Sequence, residues 1–125
     1  MIKHINTVGI YVEDQARAVA FYIEKLGFTI HADRPMGPAR WIELGPAGAQ
    51  SRLVLFPRSM MSDWDQRKPS VVFFCDDAQA TFRELSARGV TFTDPPKTMD
   101  YGIFAIFTDI DGNQLAIMSP KSGAS

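Results

Sequence analysis

The chain has 125 residues, 46% hydrophobic and 22% charged, with a formal net charge of −1. That is enough for one domain with a real core, and the near-neutral balance leaves no basic footprint for nucleic acid or an acidic membrane surface. The apolar runs are too short to span a bilayer, Met1-Ile2-Lys3-His4 lacks the apolar stretch expected of a secretory signal, so none is expected, and the single cysteine, Cys75, excludes an internal disulfide and suits the reducing cytoplasm.

Val8 to Val12 is an apolar run that ends at Glu13-Asp14. Asp14 is placed to cap a helix, because its carboxylate can accept an otherwise unpaired N–H. From Gln15 to Leu26 the apolar residues Ala18, Val19, Phe21, Tyr22 and Leu26 recur at helical spacing, and Gly27 supplies the left-handed residue that ends the helix. Phe28-Thr29-Ile30 reads as a strand, and Pro35, Gly37 and Pro38 mark a loop. Arg40 to Leu44 alternates with period two, Gly45-Pro46-Ala47-Gly48 is a turn, and Arg52 to Phe56 is a strand ended by Pro57. The stretch from Arg58 to Pro69 has no periodicity. It reads either as a plain linker or, given Met60, Met61 and Trp64, as a lid or partner-contact segment.

After Pro69 the pattern restarts. Val71 to Cys75 is a strand, Asp76-Asp77 opens a helix holding Ala80, Phe82, Leu85 and Ala87, and Gly89 ends it. Val90-Thr91-Phe92 is a strand, and Pro95-Pro96 marks a loop. Residues from about Gly102 through Ile117 form a closing hairpin whose turn, Asp111-Gly112-Asn113, combines a glycine with two side chains that bond their own backbone. The tail Ser119 to Ser125 is small and polar and is expected to fray. Cys75, in an apolar strand, reads as an inert thiol, since nothing nearby would lower its pKa.

The two halves repeat. Asp14 and Asp77 lie 63 residues apart, an offset that also carries Val12 onto Cys75 and Thr7 onto Ser70, and Gly27 and Gly89 lie 62 apart. Each half reads strand–helix–strand–strand–strand. A helix alternating with three strands lays its apolar stripe on one sheet face and leaves the other free to curve. The expected fold is therefore α+β: two βαβββ modules, at about 4–57 and 70–119 with a linker at 58–69, forming cupped mixed sheets around a cleft.

This repeat, with Val12-Glu13-Asp14, Ala20-Phe21-Tyr22, Leu26-Gly27-Phe28, Ala87-Arg88-Gly89-Val90 and Asp109-Ile110-Asp111-Gly112-Asn113, resembles the vicinal oxygen chelate superfamily. That group includes glyoxalase I, extradiol dioxygenases, and fosfomycin- and bleomycin-resistance proteins. The resemblance implies four positions at which enzymatic members place His, Glu or Gln around a divalent ion. Here they fall on Thr7, Ser70, Ala116 and, more loosely, Leu55. Alanine and leucine have no donor atom, and neutral hydroxyls are weak ligands for Zn, Ni or Fe. His4 and His31 lie off these positions and read as surface residues. The expectation is a protein with no metal cofactor.

Strand alternation assigns the faces. Val8, Ile10 and Val12 should pack under the first helix, and Val71, Phe73 and Cys75 under the second. Thr7, Gly9, Tyr11, Trp41, Glu43, Leu53 and Leu55 should face the cleft, with Ser70, Val72, Phe74, Gln114, Ala116 and Met118. Arg52 should reach it only from the rim. The expected ligand-binding residues are Tyr11, Trp41, Glu43, Leu55, Phe74, Gln114 and Met118, an aromatic lining suited to a flat or amphipathic small molecule. The first reading is metal-free binding of such a ligand by a homodimer. The alternatives are a divergent metal-dependent lyase, isomerase or dioxygenase of the glyoxalase type, which would need a divalent ion, and an interaction module whose cleft is filled by its own side chains.

Overall fold

Capping aspartates and terminating glycines set the two helices. In the computed structural model, which describes residues 1–121, β1 (Thr7–Val12) leads into α1 (Gln15–Glu24), whose first turn is capped by Asp14 accepting from the Arg17 N–H at 3.1 Å. Gly27, with φ of 74°, turns the chain out of α1, and the Phe28 N–H bonds back to the Tyr22 carbonyl. β2 (Thr29–Met36), β3 (Ala39–Gly45) and β4 (Arg52–Pro57) follow. Two short 3-10 turns, Arg58–Met60 and Trp64–Gln66, occupy the connection. The second half repeats the plan with β5 (Val71–Phe74), α2 (Ala78–Ala87), β6 (Thr91–Met99), β7 (Gly102–Thr108) and β8 (Gln114–Ser119). Asp77 caps α2 by accepting from the Ala80 N–H, and Gly89, with φ of 95°, leads out of it.

The chain divides into two compact units at Pro69/Ser70, and each owns one sheet. The strand orders are β1-β4-β3-β2 and β5-β8-β7-β6, the same order shifted by one module. In both sheets the first strand pairs in parallel with the fourth, and the remaining pairs are antiparallel. The fold class read from the sequence, α+β with two βαβββ modules and mixed sheets, is the one observed.

One face of each sheet is packed by its helix. In the first unit α1 presents buried Ala18, Phe21 and Tyr22 to the side bearing Ile10, Val12, Ile42, Leu44, Leu53 and Leu55. Gln15 ties the helix to its strands: its amide donates to the Arg40 and Leu55 carbonyls at 2.7 and 2.8 Å and accepts from the Arg40 N–H. In the second unit Leu115, Ile117, Ala105 and Phe107 lie under α2, where Phe82, Phe92 and Phe107 form an aromatic row.

Two proline-marked stretches expected as loops are strand. Pro35 lies in β2 and Pro95-Pro96 in β6, each the terminal strand of its sheet. An edge strand leaves one row of N–H groups unpaired, so a missing N–H on that side costs no ladder bond. Pairing around Pro95 and Pro96 is nonetheless irregular, with the register shifting between Asp94 and Lys97. The tail also differs from expectation. Ser119 is the buried end of β8; its hydroxyl accepts from the Ala78 N–H at 2.9 Å, at the start of α2, and donates to the Pro120 carbonyl. Residues 122–125 of the expected frayed tail lie outside the described residues. Among the described residues no helix is long and apolar enough to cross a membrane.

Candidate functional site

The face of the first sheet turned away from α1 is a row of aromatic rings around one charged pair. Register fixes its membership, because residues paired across neighbouring strands share a face. Tyr11 pairs with Phe56, Gly9 with Val54 and Thr7 with Arg52; Val54 pairs with Glu43; and Trp41 pairs with Arg34. Side-chain contacts agree. The rings of Tyr11 and Phe56 meet edge to face at 6.1 Å, and those of Trp41 and Phe56 at 6.4 Å. Gly9 leaves room for Tyr11, whose hydroxyl would lie 3.4 Å from a β-carbon placed there.

Among these rings sits Glu43, only 8% exposed. The Trp41 Nε1–H donates to its Oε2 at 2.7 Å, and the Arg52 guanidinium donates to its Oε1 at 3.1 Å. The indole hydrogen bond, then the Arg52 hydrogen bond and the charges of Arg52 and Arg34, hold the Glu43 carboxyl below its ordinary value against the opposing effect of burial. A carboxyl with a lowered folded-state pKa contributes stability that is complete above its unfolded value of about 4.5 and fades as pH falls below that. Glu43→Gln is therefore expected to cost stability at neutral pH, with the gap to the parent protein narrowing at about pH 3. Urea unfolding at both pH values checks this; a gap that does not narrow contradicts it.

This geometry corrects the face assigned to β4. Leu53 and Leu55 lie in register with Val8 and Ile10, on the helix side, and Leu55 is fully buried there. Arg52, Val54 and Phe56 take the open face instead. A strand reading Arg-Leu-Val-Leu-Phe has apolar residues on both faces, so its alternation alone does not fix its parity. The repeat does: an offset of 62 carries Leu53 and Leu55 onto Leu115 and Ile117, and Phe56 onto Met118. Of the expected ligand residues, Tyr11, Trp41 and Glu43 share this face and Leu55 does not; Phe56 joins them, and Arg52, expected only at the rim, lies on the face itself.

Phe74, Gln114 and Met118 belong to the second sheet and lie on its own open face. Phe74 pairs with Met118 and Val72 with Ala116; Met118 pairs in turn with Phe104, and Ala116 with Ile106. Phe74 is 69% exposed and Val72 47%. Cys75 follows them, half-buried, and burial pushes its thiol above the ordinary range, as expected of an inert cysteine. The connection between the modules is ordered by its own contacts. The Arg58 guanidinium stacks 3.9 Å from the centre of the Trp64 ring, and Asp63 pairs with Arg67 at 2.9 Å.

Residues 2–117 match the family profile of the Glyoxalase/Bleomycin resistance protein/Dioxygenase superfamily. The chain belongs to this superfamily. YetH of Bacillus subtilis (strain 168) is 49% identical over 114 residues, covering 90% of this chain and 95% of the relative. Among solved structures, TnmS3, an antibiotic binding protein from Streptomyces sp. CB03234, is 34% identical with a TM-score of 0.82, covering 96% of this chain and 98% of its own. A superfamily member from Sphaerobacter thermophilus DSM 20745 is 31% identical with a TM-score of 0.86, covering 94% and 98%.

Enzymatic members of the superfamily hold a divalent ion, and the residues at those positions do not fit one. Thr7 and Ser70 offer neutral hydroxyls and Ala116 a methyl group. On β4, Leu55 faces the helix, and neither Val54 nor Phe56 on the open face has a donor atom. His4 precedes β1, and His31 sits at the register shift in β2, its Nε2 3.1 Å from the Pro46 carbonyl oxygen. Among the described residues no three His, Cys, Asp or Glu side chains gather so as to hold a metal.

Proposed function

We propose that the protein binds a small, flat aromatic or amphipathic molecule on the open face of its first sheet, without a metal and without breaking a bond in it. The observation that carries this is the Tyr11–Phe56–Trp41 row enclosing the hydrogen-bonded Glu43–Arg52 pair. Aromatic faces supply desolvated contact area, and a few fixed polar groups supply orientation. TnmS3, at 34% identity, is an antibiotic binding protein, which supports sequestration over chemistry. Phe56 replaces Leu55 in the ligand set; Phe74, Gln114 and Met118 stay in it as groups of their own sheet.

The reading includes a second copy of the chain. The exposed Val72 and Phe74, beside Phe104, Ile106 and Met118, form an apolar face of a kind that associating proteins cover. It places this binding in the cytoplasm, in keeping with a single, unpaired cysteine.

One experiment tests the reading. Protein purified without chelator is analysed for bound metal and titrated with 2-naphthamide by calorimetry, with and without EDTA, and its mass is measured by light scattering. Substoichiometric metal, EDTA-insensitive binding and a dimer mass are the expected results. A stoichiometric ion, with binding that EDTA abolishes, would overturn the metal-free reading in favour of a metal-dependent enzyme.

A further inference from the structure

The open face of the first sheet carries two guanidinium groups for its one carboxylate, and that carboxylate is already engaged. Both Glu43 oxygens are used, Oε2 by the Trp41 indole and Oε1 by Arg52. Arg34, paired with Trp41 across the β2–β3 ladder, holds its guanidinium 5.7 Å from the indole centre. No carboxylate among the described residues lies within ion-pairing distance of it. The neighbouring Asp33 is no counter-charge, because it pairs with Ile42 on the other face and bonds Arg40. Asp63 is likewise taken by Arg67. Arg52 gives one Nη group to Glu43, and its side chain remains 35% exposed.

A guanidinium has five N–H donors in a planar fork that matches the two oxygens of a carboxylate, and it stacks on aromatic rings without losing those donors. Arg34 lies over Trp41 at cation–π distance, and no ion pair among the described residues uses its fork. We infer that the ligand of this face is a flat aromatic anion, its planar oxyanion held by Arg34 and Arg52 and its rings against Trp41 and Phe56. A cationic ligand would meet the two guanidinium groups, and the one carboxylate that could offset them, Glu43, is buried and already charge-paired with Arg52. The inference rests on the binding reading above and adds the sign of the ligand's charge.

Three probes with one ring system separate the two ideas: 2-naphthoate, 2-naphthamide and 2-naphthylmethylammonium, each titrated against the full chain by calorimetry and by tryptophan quenching. The anion is expected to bind about 10-fold tighter than the amide, the cation weakest, and the preference to shrink as salt rises, since Arg34 is exposed and screened. Arg34→Gln is expected to cut the naphthoate-to-naphthamide ratio to about 3-fold or less, and Arg34→Lys to keep part of it because the charge remains while the fork is lost. If amide or cation binds as well as naphthoate, or Arg34→Gln leaves the ratio intact, the inference is wrong and the binding reading stands. If none of the three binds, the binding reading fails and the inference fails with it.

Discussion

Gly102→Ala is expected to lower the stability of the protein by roughly 3 kcal/mol, through backbone strain and overpacking together. Gly102 opens β7, is buried, and has φ of 146°, a conformation that residues with a β-carbon rarely adopt. A β-carbon there would stand 2.4 Å from the Ser119 carbonyl oxygen. The obstacle is backbone, so no rotamer change relieves it. Ile103, the next residue, pairs with Ser119 across the β7–β8 ladder, and the Ser119 hydroxyl accepts from Ala78 at the start of α2. Pushing Ser119 away therefore loosens two elements at once. For a chain of this size the loss corresponds to a melting temperature lower by about 10 °C. Gly48→Ala gives the comparison, because Gly48 shares positive φ but has nothing within 4 Å of an added β-carbon. Thermal and urea unfolding of both variants decide the matter. Equal, small losses would show that strain in φ, and not the Ser119 contact, sets the cost.

The helices and the repeat were legible because their signals are local. Asp14 and Asp77 cap, Gly27 and Gly89 terminate, and apolar residues between them recur at helical spacing. Edge strands were less legible. Pro35 and Pro95-Pro96 read as loop because proline breaks a paired strand, and a chain read alone does not say which strand will lie at an edge. The closing turn was legible in outline, but not the part played by buried Asp109 ahead of it, whose carboxylate accepts from the Asp111 and Asn113 N–H groups and from the Asn113 amide.

The candidate site was half legible for a related reason. β1 and β3 alternate visibly, so Tyr11, Trp41 and Glu43 could be assigned to the open face. β4 is apolar on both faces, so only its pairing with β1, or the match of Phe56 to Met118 through the repeat, fixes its parity. Arg34 escaped notice because the sequence places it beside Pro35 in an apparent loop, whereas the edge strand carries it across from Trp41. The charge of the site thus depends on two residues, Arg34 and Arg52, that strand alternation alone did not bring to that face.

Trp41→Ala should weaken binding of 2-naphthamide by about 30-fold or more, the loss typical of removing a central aromatic anchor. Three interactions meet at this residue. Its ring abuts Phe56, its face lies under Arg34, and its Nε1–H holds Glu43. Truncation removes the indole from the open face and leaves Glu43 with Arg52 alone, which frees the carboxylate to move. Trp41→Phe separates these effects, since it keeps a ring for stacking but removes the N–H. It should fall between, at about a 3- to 10-fold loss, the residual penalty reporting the unpaired carboxylate oxygen. The chain has two tryptophans, and Trp64 lies in the connection stacked by Arg58. Quenching by the probe should therefore largely disappear in Trp41→Ala, while Trp64 emission reports that the connection remains folded. If calorimetry gives the same affinity for Trp41→Ala as for the parent chain, the ligand does not sit on this face, whatever else the protein binds.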